Sequence, residues 1–251
     1  MLESYLSYLR AVRHLSANTV HAYERDLRRF LDFLRERGIG EGEVDETVAS
    51  AFVGELARGS LRPRSVNRLL STLRGYYRFL LKFGGSVGAN PFRAIRSLKT
   101  PTALPSFLFE AEVDQLLRVE GEPAPGDLFR LRDLLIPELL YATGARVAEL
   151  TAMNLTDLDL RERSIRVTGK GAKERIVFFG SSAAALLGAY LLARRQHRFP
   201  RKVAEQALLL NRRGGRLTVR GVQQILERRL REAGVAKPAS PHTLRHSFAT
   251  H

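Results

Sequence analysis

Two short stretches put anion-gripping side chains at the start of a helix. In Thr143-Gly144-Ala145-Arg146-Val147-Ala148-Glu149-Leu150 a glycine closes one helical pattern and an arginine begins the next. Free backbone N–H groups and the helix dipole favour negative charge at such a point, and a guanidinium adds a planar fork that can hold two phosphate oxygens. Taken alone, an arginine near a helix start, as Arg146 is, more often makes a surface ion pair. Glu149, three residues on, is placed to orient it. His242-Thr243-Leu244-Arg245 repeats the device. Ser240-Pro241 is a strong helix opening, and the i, i+3 spacing sets an imidazole and a guanidinium on one face.

The chemistry these groups suit is attack at phosphorus. A phosphodiester under attack gains about one extra negative charge in its transition state, so two fixed arginines stabilise that state more than the ground state. The His242 imidazole can exchange a proton with the attacking or leaving oxygen. Lys170 stands between Gly169 and Gly171 at a hairpin tip, free to protonate a departing alkoxide, touch a phosphate, or stay solvated. His242, His246 and His251 invite a metal reading, but no cysteine or clustered carboxylate accompanies them. Neither a metal nor another cofactor is expected.

The elements that must position these groups follow from periodicity. Leu2, Tyr5, Leu6 and Leu9, and then Val20, Tyr23, Leu27, Phe30 and Leu34 after Ser16-Ala17-Asn18-Thr19, predict two amphipathic helices. A shorter helix is predicted from Val48 to Arg58, a turn from Gly59 to Pro63, and a long helix through Val66, Leu69, Leu73, Tyr77 and Leu81. Their polar faces carry Arg25, Arg28, Arg29, Arg64, Arg68, Arg74 and Arg78, a row able to follow a phosphate backbone or simply to be solvated. Residues 99–106, with two prolines and no periodicity, read as a linker between a helical domain at 1–98 and a second domain at 107–251.

Beyond the linker, helices are predicted at 110–119, 127–142, 183–195 and 219–233. The alternation in Ser164-Ile165-Arg166-Val167-Thr168 and Arg175-Ile176-Val177-Phe178-Phe179 predicts a hairpin. Pro137 is expected to kink the helix that contains it. The fold class is thus mainly α with a small β-hairpin.

Across 251 residues, 41 Lys+Arg face 26 Asp+Glu, a formal net charge of +15, and the excess is spread over both halves. Such a chain attracts a polyanion, and nucleic acid is the expected partner. With 44% hydrophobic residues it can build cores. Zero cysteines exclude disulfides and thiolate metal sites. The N-terminus lacks a signal-peptide pattern and no apolar run reaches membrane length, so a cytoplasmic protein without a membrane partner is expected.

Three motifs, in order, resemble the Xer-type tyrosine recombinases of the phage integrase family: Thr143 to Leu150, Gly169-Lys170-Gly171-Ala172-Lys173-Glu174-Arg175, and Pro241 to His251. Asn18 to Leu27 is similar to the opening of that family's SAM-like core-binding domain, and Leu209-Leu210-Asn211-Arg212-Arg213-Gly214-Gly215 to a turn of its mixed α/β catalytic domain. The resemblance implies that Arg146 and Arg245 hold the scissile phosphate, Lys170 is general acid toward the 5′ oxygen, and His242 assists proton transfer. It implies a 3′-phosphotyrosyl intermediate needing neither ATP nor metal. It also implies a tetramer, of one or two kinds of recombinase, on double-stranded recombination sites in chromosome-dimer resolution, with a DNA-translocase motor as a further partner. The other readings are a mobile-element integrase and a non-catalytic DNA-binding module. Family members carry the nucleophilic tyrosine beyond the His-x-x-Arg helix. The tyrosines at 5, 8, 23, 76, 77, 141 and 190 do not match it, so residues 1–251 are expected to be a truncated, inactive form.

Overall fold

The computed structural model describes residues 1–84, 87–100, 107–118, 126–169, 171, 173–199 and 204–251. Packing divides the chain into a unit of residues 1–102 and another of residues 103–251. Of the expected linker, residues 101–106 lie outside the described residues. Among those described, no helix is long and apolar enough to cross a membrane.

The first unit contains α1 (Leu2–Ala11), α2 (Ala17–Glu36), a 3-10 turn at Glu41–Glu43, α3 (Glu46–Arg58) and α4 (Pro63–Phe79), which runs into a π turn at Leu80–Gly84. Short polar side chains start two of them: Ser16 Oγ accepts from Thr19 N at 3.3 Å and Asp45 Oδ1 from Val48 N at 2.8 Å. Pro63, expected in a turn, instead opens α4, where its missing N–H costs nothing. The apolar stripes converge on Phe30, which meets Phe52, Tyr77 and Phe92 edge-on with centroids 5.0, 6.2 and 5.4 Å away.

The second unit is built on α6 (Leu128–Thr143), buried on nearly every side, which accounts for its apolar run. Around it lie α5 (Glu110–Leu117), α7 (Val147–Ala152), α8 (Ser181–Gln196), α9 (Val219–Glu232) and α10 (Pro241–Thr250). The helix continues through Pro137. A proline removes one intrahelical hydrogen bond, and burial among Ile136, Leu139 and Leu140 holds the surrounding turns in place.

The expected hairpin is β2 (Ser164–Thr168) and β3 (Glu174–Phe178), joined by a two-residue strand that the sequence pattern was too short to show, β1 (Leu158–Asp159). The antiparallel register pairs Ile165 with Val177 on the buried face and Arg166 with Ile176 on the open one. It also pairs Arg175 with Val167, setting that arginine on the covered side. This register matters for the site.

Candidate active site

Gly144 closes α6 at φ +56°, a left-handed conformation natural to glycine, and turns the chain so that Arg146 becomes the N-cap residue of α7. Steric room also requires glycine there, since a Cβ would sit 2.5 Å from the Phe248 ring. Thr143 Oγ1 accepts from Ala145 N at 3.2 Å and tightens the turn.

Glu149, 4% exposed, is the centre of the cluster. Its Oε2 accepts from the Arg146 backbone N–H at 2.8 Å and from Arg175 Nη2 at 2.7 Å. Its Oε1 accepts from Arg146 Nη1 and Arg175 Nη1, both at 2.9 Å. Burial pushes this carboxyl up, but the hydrogen bonds from Arg175 and Arg146 outweigh it and hold the group down to about 2. The Arg146 contact is the one its spacing predicts; Arg175 stands in the hairpin and at the end of the second motif, and nothing in its spacing assigns it to Glu149. The available signal was the strand alternation, which sets Arg175 opposite Val167 on the covered face.

Arg245 comes from α10, whose start is fixed by Ser240 accepting from Thr243 N at 3.2 Å and by Pro241 at the first position. Its guanidinium donates to the Gly144 carbonyl. Burial, and next the positive charge of Arg146, pushes Arg245 down from its ordinary value. Three guanidiniums thus gather round a single carboxylate, an arrangement short of negative charge. Half of the Arg146 side chain remains open to an incoming ligand.

The other sequence candidates are placed as follows. His242 lies one turn before Arg245, with its Nε2 3.0 Å from His246 Nε2, so at this spacing one of the two nitrogens donates and the other accepts. Lys170 falls outside the described residues. Its neighbour Gly169 lies against the cluster, because a Cβ there would be 3.2 Å from Glu149 Oε1. His251 pairs with the Tyr141 hydroxyl at 3.0 Å rather than with the other histidines. Among the described residues no group of three or more His, Cys, Asp or Glu is placed to hold a metal. Tyr190 is buried and donates to Leu208 O at 3.0 Å, so neither tyrosine of this unit is aimed at the arginines.

In the first unit several of the seven row arginines are already engaged. Arg28 is held by Glu24, Arg68 by buried Asp26, and Arg74 by the carbonyls of Phe92 and Ile95. Arg25, Arg29, Arg64 and Arg78 remain exposed and form no ion pair with the described residues.

Residues 106–251 match the model described as "Phage integrase family", and residues 2–84 the one described as "Phage integrase, N-terminal SAM-like domain". Tyrosine recombinase XerC of Oceanobacillus iheyensis is 38% identical over 252 residues, covering 100% of this chain and 81% of its own length. Tyrosine recombinase XerD of Mycobacterium tuberculosis is 39% identical over 259 residues, covering 100% and 83%. The crystal structure of XerH site-specific recombinase bound to palindromic difH substrate, a post-cleavage complex, shares the fold with a TM-score of 0.75. It is 22% identical, covering 99% of this chain and 72% of that one. The chain belongs to the phage integrase family, as a tyrosine recombinase of the Xer type.

Proposed function

We propose that this protein recombines DNA at specific sites, with residues 1–98 gripping the duplex and residues 107–251 holding the scissile phosphate. The observation that carries the reading is the gathering of Arg146, Arg175 and Arg245 at one buried carboxylate, Glu149, where burial and next the charge of Arg146 push Arg245 down and a phosphodiester would add the missing negative charge. Arg146 and Arg245 bind its non-bridging oxygens. A tyrosine oxygen attacks phosphorus, the bond to the 5′ oxygen breaks, and that oxygen takes its proton from Lys170. His242 takes the proton that the tyrosine hydroxyl gives up as it attacks. A 5′ hydroxyl of the partner strand reverses the step from the 3′-phosphotyrosyl ester. The attacking tyrosine is not one of those in residues 1–251, so this stretch alone binds DNA without cutting it.

The relatives' names support an Xer-type recombinase; we infer further that it acts on chromosomal duplex sites as a tetramer of Xer-type subunits, in the cytoplasm, with a translocase motor as a further partner. The test is trapping on a nicked recombination-site duplex, using the protein with its tyrosine segment. A tyrosine-linked adduct is expected, lost in Arg146→Ala and Arg245→Ala while duplex binding survives. An adduct of undiminished yield in either variant refutes the assignment.

A further inference from the structure

The N-terminal unit holds a cleft of about 390 Å³ lined by residues of α1, α2, α4 and the π turn, within the size range of small-ligand sites. Part of its lining is Tyr5, only 3% exposed, whose hydroxyl has no hydrogen-bond partner among the described residues. The hydroxyl is not sealed from solvent, since the buried side-chain atoms without a partner among the described residues are Arg194 Nε and Arg229 Nε, so it faces the cleft as a free hydrogen-bonding group. Gly75 of α4 makes room for that hydroxyl, since a Cβ there would lie 2.6 Å from the Tyr5 oxygen. A glycine inside a helix costs about 1 kcal/mol relative to alanine, so this clearance is maintained against helix propensity.

The groups that act electrostatically on the Tyr5 hydroxyl are themselves cleft residues: Tyr23, Arg78, Arg13 and Tyr8. Burial, and next Tyr23, pushes Tyr5 up to about 12 against the pull of the two arginines. The hydroxyl therefore keeps its proton and can donate it to an acceptor in the cleft. Arg13, Arg78 and Lys82 line the cleft without ion-pair partners among the described residues, and no carboxylate lines it. Arg78 uses its Nε on the Arg74 carbonyl, leaving both terminal nitrogens for a ligand. The remaining wall is aromatic: Phe83 lies 5.8 Å from Tyr8 and 5.1 Å from Phe79, and more than half of Phe83 is exposed.

We propose that this cleft binds one nucleotide unit, its phosphate accepting from the Tyr5 hydroxyl, Arg13, Arg78 and Lys82, and its base stacking on Tyr8 and Phe83. Aromatic faces interleaved with unpaired cations are the combination that recognises a base joined to a phosphate. A solvent molecule would answer the hydroxyl alone and leave three cations and the open rings unexplained. The proposal stands whether or not the arginine cluster of residues 103–251 cuts DNA. The nucleotide can be carried in a DNA strand or be free, and the two sources share this chemistry.

The protein is titrated with deoxyadenosine monophosphate, inorganic phosphate and single-stranded oligodeoxyadenylate, reading the Gly75 amide and the Tyr5 ring by NMR. Saturable binding of the monophosphate is expected, about tenfold or more tighter than inorganic phosphate because stacking contributes. Tyr5→Phe removes one uncharged hydroxyl, leaves long-range attraction to polyanions intact, and should weaken binding about tenfold or more at unchanged Tm. Arg78→Gln, at an exposed position, should weaken it in the same direction. Tighter binding of the oligonucleotide assigns the site to a DNA strand, and tighter binding of the monophosphate to a free nucleotide; both support the proposal. It is overturned by no saturation with any nucleotide probe, by equal affinity for inorganic phosphate, or by wild-type affinity in both variants.

Discussion

Replacing Glu149 by glutamine tests the physical basis of the candidate site directly. The carboxylate accepts four hydrogen bonds, one from a backbone N–H and three from guanidinium nitrogens. A glutamine side chain keeps the shape, loses the charge, and turns an N–H toward donors that need acceptors. The folded-state value of about 2 lies well below the ordinary 4.5. The ionised group therefore contributes stability that is complete above 4.5 and is lost as pH falls toward about 2, at about 1.4 kcal/mol per pH unit between them. That makes the contribution about 3 kcal/mol at neutral pH. Arg146 and Arg175 can rehydrate in the variant, with side chains 58% and 37% exposed, so the loss should be nearer 2 than 4 kcal/mol, by about that margin. At about pH 3.5 the difference between the two proteins should have narrowed by about 1.4 kcal/mol, because the wild-type group has begun to protonate in the unfolded chain alone. Urea titrations at both pH values, read by pulsed hydrogen exchange on peptides of α6 and α7, report this unit by itself. A difference that does not change with pH, or one below about 0.5 kcal/mol at pH 7, would show that the arginines do not hold this carboxylate.

Gly144→Ala should destabilise residues 103–251 by about 2 kcal/mol or more, from a left-handed backbone and a Cβ pressed on Phe248; a urea midpoint within error of wild type would contradict both. Ser247→Ala should lower stability by about 1–3 kcal/mol, because the buried Ser247 Oγ accepts from Leu108 N at 2.9 Å and its loss strands that N–H. Ser247→Thr or Ser247→Gly controls then separate hydrogen bonding from packing in the same assay. Duplex binding by the chain should fall by several powers of ten as salt rises from about 50 to 200 mM, if six or more exposed cations meet phosphates. A flat response in a mobility-shift assay would remove the phosphate row from the account.

Local regularities in the sequence settled much of this protein. The apolar spacing of α1 to α4, the Ser240-Pro241 opening of α10, the glycine that ends α6 and the alternation of β2 and β3 all depend on neighbours within a few residues, which is the range over which backbone geometry imposes a period. The motif wording around Arg146 and Arg245 likewise needed no coordinates to suggest an anion. What folding alone decided is which distant groups share a space. Arg175 reaches Glu149 across 26 residues because strand register turns it inward, and Arg245 meets the Gly144 carbonyl across 101. The same holds for Arg68, spent on Asp26 across 42 residues, and for the Tyr5 hydroxyl held beside Gly75. Charge and shape at a site are sums over elements brought together by core packing, and helix or strand periodicity carries no record of those sums.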